Sequence, residues 1–180
     1  MQTSTVEAPA LSPVSGDLYA SIARFLFDEA ELLSSARYGE WGALLAPDIQ
    51  YVVPAPSFMQ RGQEREYGIG NPYFDDDIHS LKVRIRLYTE PGKTTAENPP
   101  AKLRHFVTNV RADETGQPGE YRVCSNVLVY RIRYTEAQPF LLSGARTDLL
   151  RRSGDGFQLA QRVVDIEQTS IQAPNLSFFL

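Results

Sequence analysis

The spacing of apolar residues changes from a helical period to a strand period along the chain, and this change limits the possible folds more than any other feature. Near the start, apolar side chains recur every three or four positions: Leu18, Ile22, Phe25, Leu26 and Leu33. From Leu103 onward, apolar and polar residues alternate over stretches that short turns separate. Helices followed by consecutive strands predict an α+β fold, because parallel βαβ units would interleave the two periods.

The helical part of the sequence predicts three helices. The first spans about Gly16–Ser35, with Asp17 at the end where a negative charge favours the helix dipole. A short second helix covers Tyr38–Leu45, and Pro47 ends it because proline cannot continue a helix. A third helix starts around Asp75 and continues at helical spacing through Leu81, Ile85 and Tyr88.

The remaining segments predict one isolated strand and an antiparallel meander. The isolated strand is Ile49–Val53, and the polar stretch Ser57–Pro72 after it predicts a long excursion. The strands of the meander are Leu103–Arg111, Tyr121–Tyr134, Phe140–Arg152 and Phe157–Gln168. In the first of these strands, alternation predicts that Phe106, Thr108 and Val110 share one side.

Two apolar surfaces indicate that the chain contacts another subunit. An antiparallel sheet with one wet face shows polar residues along one parity, but both parities are largely apolar over Val123–Val129. One face can meet the helices, so the other face needs a partner or a second cover. The final residues Leu176, Phe178, Phe179 and Leu180 are also apolar, and they either form a subunit contact or dock on their own domain.

Length and composition favour one globular domain. The 180 residues, 42% of them hydrophobic, suit a single core at residues 17–180, with residues 1–16 as a flexible N-terminal arm. The net charge of −4 argues against a nucleic-acid partner. No apolar run is long enough for a membrane span and residues 1–16 lack the features of a secretory signal, so we expect a cytoplasmic location.

Few residues in this sequence can bind a metal. Cys124 is the only cysteine, which excludes an intramolecular disulfide and a four-cysteine zinc site. A Rieske cluster needs two cysteines and two histidines, so this chain, which has one cysteine, cannot build it. His79 and His105 are the only histidines and just suffice for an iron site of two histidines and one carboxylate.

Two hypotheses about the histidines stand beside structural alternatives. On a helix, Asp75 and His79 would share a face and could bind a metal, whereas the run Asp75–Asp77 also suits a solvated helix start. His105 could act as a general base, or could be a structural histidine bonded to a neighbouring strand or subunit. Cys124 lies mid-strand among apolar residues, which indicates a small buried hydrophobe.

An ordered set of motifs runs through nearly the whole chain. The earlier motifs are Phe27–Leu33, Glu40–Trp41, Asp48–Tyr51, Phe74–Asp77, Ala96–Pro100 and Arg104–Val110. The most specific stretch is Gly144–Arg152, followed by Leu159–Arg162 and the ending Asn175–Leu180. With these motifs in this order, the sequence resembles the small (beta) subunit of bacterial aromatic-ring-hydroxylating dioxygenases, the Rieske non-haem iron oxygenases. Ser34, Thr95 and Ala101–Lys102 depart from the family pattern, which affects local contacts.

The resemblance implies a cystatin-like or NTF2-like cone, in which N-terminal helices pack on a curved, mainly antiparallel β-sheet. It also implies assembly with a large alpha subunit and with copies of this chain, commonly as an α3β3 hexamer. In that family the alpha subunit holds the Rieske cluster and the mononuclear non-haem Fe(II), and the small subunit is structural. The resemblance therefore implies that this chain has no catalytic, cofactor-binding or metal-binding residue. The complex adds both atoms of O2 to an aromatic ring, giving a cis-dihydrodiol with electrons from NAD(P)H.

Two other functions would use the same cone differently. A stand-alone isomerase or dehydratase would pair His105 or a buried carboxylate with Tyr51 for acid–base chemistry. A small-molecule binding protein would use the cone as its pocket. The contents of the cone distinguish these functions, because large apolar side chains would exclude both, whereas an open cavity with His105 and an aspartate would argue against a structural subunit.

The basic residues are almost all arginines, 15 of the 18. Arginine is enriched at protein interfaces because its planar guanidinium desolvates easily and pairs through two hydrogen bonds, although a GC-rich genome explains the same bias. Arg146 and Asp148 share a strand face, where they pair with each other or across an interface. We predict that five arginines lie at subunit contacts: Arg131, Arg133, Arg146, Arg151 and Arg152.

Overall fold

Three helices and seven strands make up the part of the chain that the computed structural model describes, residues 12–55, 72–90, 99–168, 171 and 176–180. The helices are α1 (Gly16–Ser34), α2 (Tyr38–Gly42) and α3 (Ile78–Thr89). The strands are β1 (Ser12–Pro13), β2 (Leu45–Val53), β3 (Phe74–Asp76), β4 (Lys102–Glu114), β5 (Glu120–Ile132), β6 (Phe140–Ser153) and β7 (Gly156–Ile166).

All seven strands join one sheet in the order β1-β4-β5-β6-β7-β2-β3. Strands β4 to β7 form the predicted antiparallel meander, and β2 adds to β7 in parallel, with Tyr51 opposite Arg162. Helix α1 packs against β4, and α3 packs against β2. The α+β cone with a mainly antiparallel sheet is therefore confirmed.

Helix α1 follows its sequence prediction closely. The side-chain oxygen of Ser15 caps it by accepting a hydrogen bond from the Leu18 amide at 3.4 Å. Its predicted apolar stripe faces the core, where Ile22, Leu26 and Leu33 are fully buried. The stripe therefore fixes which side of the helix meets the sheet.

The predicted second helix is too long at its C-terminal end. Helix α2 stops at Gly42, and Leu45 and Pro47 belong to strand β2. The carbonyl of Leu44 accepts a hydrogen bond from the Leu159 amide at 2.8 Å, so pairing with β7 replaces a further helical turn. The register of this pairing shifts between Leu45 and Gln50, an irregularity that accommodates proline within the strand.

The predicted start of the third helix is also wrong. Phe74–Asp76 form strand β3 against β2, and α3 begins at Ile78. Asp77 is its N-cap, because the Asp77 carboxylate accepts a hydrogen bond from the Ser80 amide at 2.8 Å. The backbone of Asp75 is therefore extended, and Asp75 and His79 do not share a helix face.

A bulge in β4 overturns the predicted side for Val110. Asn109 has a positive φ of 53°, and the register between β4 and β5 shifts between Thr108 and Arg111. The extra residue inverts the alternation, so Phe106 and Thr108 are exposed whereas Val110 packs against the core. Sequence alternation alone cannot reveal such a bulge.

The ends of the described chain pack on the same sheet. Of the expected arm over residues 1–16, residues 1–11 lie outside the described residues, and Ser12–Pro13 pair with β4. Phe178, Phe179 and Leu180 are buried, so these apolar residues dock on their own domain. Most of the predicted excursion Ser57–Pro72 lies outside the described residues. None of the helices in the described part of the chain has the length and apolar character of a membrane span.

Substitution of Gly144 on β6 tests how closely β6 and β7 approach each other. A methyl group at Gly144 would lie 2.8 Å from the carbonyl oxygen of Asp165, so the backbone must shift to admit it. We expect Gly144→Ala to lower the free energy of unfolding by about 1–3 kcal/mol, measured by urea denaturation. Gly39→Ala is the control, because nothing lies within 4 Å of the added atom and alanine favours the helix. Equal stability of the two variants would contradict the close packing.

Candidate functional site in the interior of the cone

A cluster of buried charges occupies the interior between α1 and the sheet. The guanidinium of Arg162 lies between two carboxylates and donates to Glu29 at 2.7 and 2.8 Å and to Asp148 at 2.8 Å through two of its nitrogens. All three side chains are at most 1% exposed. One arginine thus satisfies two carboxylates from different elements, α1 and β6, in a bidentate manner.

A second arginine and two neutral side chains also belong to this cluster. The indole nitrogen of Trp41 donates to Glu29 at 3.0 Å. Arg146 lies 3.6 Å from the other oxygen of Glu29 and donates through Nε to the hydroxyl of Ser125 at 3.3 Å. Two arginines therefore face two carboxylates, which is the pairing that buried charges require.

The cluster keeps Glu29 ionised despite its burial. Burial by itself raises the pKa of this carboxyl, but the charges of Arg162 and Arg146 and the hydrogen bonds from Arg162 and Trp41 lower the pKa to about 2. For Arg162, burial lowers the pKa, and the stronger attraction of Asp148 and Glu29 raises it well above its usual range. Glu29 and Arg162 therefore stay ionised near neutral pH.

The last residues of the sequence bind directly to this interior. Arg162 also donates to the carbonyl oxygen of Leu180 at 2.9 Å. The hydroxyl of Tyr51 accepts from the Leu180 amide at 2.8 Å and donates to the Leu180 carbonyl at 3.2 Å. Burial raises the pKa of Tyr51, so its proton stays in place. Tyr51 is thus committed to main-chain binding rather than to acid–base chemistry.

His105 is a buried structural histidine. Its Nε2 lies 2.9 Å from the Phe179 carbonyl, which can only accept, so Nε2 carries the proton. Nδ1 lies 3.3 Å from the hydroxyl of Ser34, which also accepts from the His105 amide at 2.9 Å. Burial is the main cause that lowers the pKa of His105 to about 4, and the positive charges of Arg146 and Arg162 lower it further. The histidine is therefore neutral, with both ring nitrogens in hydrogen bonds.

Aromatic side chains fill the rest of the interior. Trp41, Tyr51, Phe178 and Phe179 are among the largest fully buried side chains. The ring of Phe179 lies 4.4 Å from the Trp41 ring, centre to centre. Large aromatic side chains of the described residues therefore pack together in this part of the interior.

The remaining candidates for metal chemistry lie apart from the interior cluster. His79 and Asp75 are exposed, on α3 and β3 respectively. Cys124 is only half-buried, on the outer face of β5, so the prediction of a buried residue is not met fully. Within the described ranges, no group of three or more histidine, cysteine, aspartate or glutamate side chains is arranged to hold a metal ion.

The five arginines predicted at subunit contacts fall into two groups. Arg131 and Arg146 are buried inside this chain, where Arg131 pairs with Glu136 at 2.9 Å. The other three are accessible: Arg133 donates to the Pro99 carbonyl, Arg151 pairs with Asp48 and Glu120, and Arg152 lies over the ring of Phe157. Arg146 and Asp148 share a strand face as predicted. They do not pair only with each other, because Arg162 binds Asp148 and Glu29, and Glu29 also pairs with Arg146.

Sequence reasoning assigned no role to Glu29, Trp41 or Arg162. The sequence does contain a sign of Glu29, because it lies three residues after Leu26 and four before Leu33, on the apolar stripe of α1. Arg162 alternates with Val164 and Ile166, the inward parity of β7. A charge at a position whose neighbours are core residues predicts a buried ion pair.

Replacing the bridging arginine tests the cluster. Lysine at position 162 keeps the charge but cannot hold both carboxylates through a planar fork, so Arg162→Lys should lower the free energy of unfolding by about 3–5 kcal/mol. Arg24→Lys is the matched control, because Arg24 pairs with Asp28 on the exposed surface of α1 and should change stability little. Similar effects of both substitutions in urea denaturation would contradict the bridging role.

His105 makes stability depend on pH. Its pKa is about 4 in the folded chain and about 6.5 when unfolded, so the unfolded state binds the proton first as pH falls. Between pH 7.5 and 5.0 the free energy of unfolding should fall by about 2 kcal/mol from this group. His105→Gln should remove most of that slope, and exposed His79→Gln should keep it. Urea titrations of the three proteins at both pH values measure the effect, and a slope that persists in His105→Gln would contradict it.

Comparison with protein families identifies one match. The family model described as ring hydroxylating beta subunit matches residues 28–173. Among curated relatives, biphenyl 2,3-dioxygenase subunit beta of Rhodococcus jostii is 39% identical over 173 residues, covering 93% of this chain and 91% of that protein. The match thus extends over both the helices and the meander.

Solved structures resemble the same fold. A chain of naphthalene 1,2-dioxygenase with indole bound in the active site has a TM-score of 0.82 and 27% identity, covering 93% of this chain and 88% of that one. A putative scytalone dehydratase from Novosphingobium aromaticivorans has a TM-score of 0.63 at 18% identity, covering 88% and 90%. At that lower identity the likeness concerns the fold alone.

Proposed function

The chain belongs to the ring-hydroxylating dioxygenase beta subunit family, and we propose that it is the non-catalytic structural small subunit of a terminal oxygenase. In this role it binds a large alpha subunit and stabilises an α3β3 hexamer. The proposed reaction of the complex is cis-dihydroxylation of an aromatic hydrocarbon, in the cytoplasm, with electrons from NAD(P)H. The named relatives act on biphenyl and naphthalene, which supports an aromatic substrate.

The residues of this chain do not fit the metal groups of such an oxygenase. A Rieske cluster needs two cysteines, and the chain has one. Both ring nitrogens of His105 are hydrogen-bonded inside the core, and His79 lies on the surface of α3. We therefore assign the Rieske cluster and the mononuclear iron to the alpha subunit, and no step of the reaction to this chain.

The filled interior of the cone is the observation that carries the structural role. A stand-alone isomerase, dehydratase or binding protein would need space for a ligand, but Trp41, Tyr51 and Phe179 are fully buried there. The ionisable groups beside them are bonded to one another or to the main chain. For the described part of the chain, we therefore assign the assembly function to the surface of the protein.

The outer face of the sheet supports a role in assembly. Three large apolar side chains there are exposed: Phe106 by 50%, Leu128 by 38% and Leu141 by 48%. Phe106 and Leu128 are directly paired across β4 and β5. They line a groove of about 490 Å3 that continues to Ser143, Ala145 and Glu167. An apolar face of this kind is typical of a subunit contact, so we propose that a neighbouring subunit of the oligomer covers it.

The accessible arginines complete the proposed contact surface. Arg131 and Arg146 are buried within the chain, so we propose Arg133, Arg151 and Arg152 as the arginines whose side chains reach a partner directly. Arginine side chains at the rim of an interface favour correct orientation of the partner more than raw affinity. A bias of the genome toward arginine codons would instead leave these three in bulk solvent in the assembled oligomer.

Co-expression with a candidate alpha subunit tests the proposal. The wild-type chain should co-purify as a hetero-oligomer whose mass, measured by native mass spectrometry, corresponds to α3β3. Leu128→Glu places a charge in the apolar outer face and should abolish or strongly reduce assembly, because a desolvated unpaired charge is costly. The circular dichroism spectrum of this variant should match that of the wild type.

The controls separate the two parts of this proposal. Val83→Glu changes a comparably exposed apolar residue on α3, away from the outer face, and should leave assembly intact. A wild-type chain that stays monomeric and never co-purifies would contradict the subunit role. Equal assembly of Leu128→Glu and Val83→Glu would contradict the assignment of the outer face while leaving the subunit role in place.

A further inference from the structure

The residues Phe178–Leu180 are held in the cone in the way that a pocket holds a ligand. They belong to no helix or strand, yet all three are buried. We propose that the cone contains a recognition site for a monocyclic aromatic group, and that the side chain of Phe179 fills this site as an intramolecular ligand. The site is distinct from the proposed assembly surface, because it lies on the inner side of the sheet.

The ring of Phe179 is surrounded by other aromatic rings. Centre-to-centre distances are 4.4 Å to Trp41, 5.1 Å to Tyr38 and 5.5 Å to Tyr88. The Tyr38 ring meets it edge-on at 74°, and the Tyr88 and Trp41 rings are tilted. We call the rings of Trp41, Tyr38 and Tyr88 the aromatic box. In tilted and edge-on arrangements the positive edge of one ring meets the negative face of another, so the aromatic box favours an aromatic group over an aliphatic one.

A cation gives the box a second reason to prefer an aromatic guest. The guanidinium carbon of Arg84 lies 4.6 Å from the centre of the Phe179 ring, within the range of a cation–π contact. Asp76 on β3 and the ring of Phe74 hold Arg84 from the other sides. The position of the cation therefore does not depend on Phe179 itself.

Side chains of the cone wall bind the main chain of the same segment. His105 donates to the Phe179 carbonyl, Arg162 donates to the Leu180 carbonyl, and Tyr51 binds both the amide and the carbonyl of Leu180. These side chains come from β4, β7 and β2. Convergent polar side chains beside an apolar box are the features of a small-molecule site.

The walls of the site are held independently of their guest. Trp41 is fixed by its hydrogen bond to Glu29, and Arg84 by its ion pair with Asp76. Removal of the Phe179 ring should therefore leave a shaped apolar cavity rather than a collapsed one, and an engineered apolar cavity lined by large side chains can bind a small aromatic molecule. The expected guest class is an uncharged monocyclic aromatic such as toluene.

Ligand binding to the full-length Phe179→Ala variant tests this inference. Trp41 is the only tryptophan, so its fluorescence reports directly on the neighbouring site. Titration with toluene should give a saturable change, with an affinity about tenfold higher than that of methylcyclohexane, which has a similar size but no π system. The wild type should not respond, nor should Phe27→Ala, which removes an exposed phenylalanine from α1.

Two results would overturn the inference. One is equal affinity of folded Phe179→Ala for toluene and methylcyclohexane, which would indicate a plain apolar void. The other is the absence of any Trp41 response to toluene in the folded variant.

A double-mutant cycle decides the question where Phe179→Ala does not fold. Phe179→Leu keeps an apolar side chain of moderate size but removes the ring, and Arg84→Met removes the cation. Arg84→Met should raise the equilibrium constant of unfolding about tenfold more in the wild type than in Phe179→Leu, because only the wild type has an aromatic ring at position 179 for the cation to contact. Equal effects in both backgrounds would overturn the aromatic preference of the site.

Discussion

The bridging of two carboxylates by Arg162 is the interaction on which the interior of this protein depends. Glu29 comes from the first helix, Asp148 from the sheet and Leu180 from the last residues, and all three meet the same guanidinium. Charges removed from water are tolerated only when each is paired and hydrogen-bonded. The positions of α1, β6 and β7 are therefore coupled, because moving any one of them would leave a buried charge without its partner. Residues 178–180 are coupled to them through the hydrogen bond from Arg162 to the main chain of Leu180.

The ion cluster also fixes the hydrogen-bond partners of the ionisable groups around it. The groups that could perform acid–base chemistry, such as His105 and Tyr51, bind the main chain of residues 179–180 instead. Solved structures of the same fold include a putative scytalone dehydratase, so the cone itself does not determine function. In this chain the difference lies in what fills the cone, namely aromatic rings and paired ions.

Local sequence patterns predicted most of the fold, whereas contacts between residues far apart in the sequence were harder to predict. The stripe of α1 and the alternation in β5 lie within single elements, so the sequence was enough to predict them. The bulge at Asn109, the parallel pairing of β2 with β7 and the strand conformation of Leu45 depend on partners far along the chain. The ion cluster was missed for the same reason, since Glu29 and Arg162 are 133 residues apart. From the sequence, the apolar residues 176–180 could either dock on their own domain or contact another subunit. Burial of Phe178–Leu180 in the structure shows that they dock on their own domain.

The parallel pairing of β2 with β7 has a consequence for the time course of folding. During synthesis β2 emerges early, but its sheet partner is among the last strands made. Until then, the apolar stripe of α1 has no complete sheet to cover it and Glu29 lacks Arg162, the counter-ion that binds both of its oxygens. Folding of this topology is therefore expected to be slow and to finish only after translation has passed β7, because distant contacts must close before they stabilise the chain. During that interval the nascent chain exposes apolar surface, which favours aggregation.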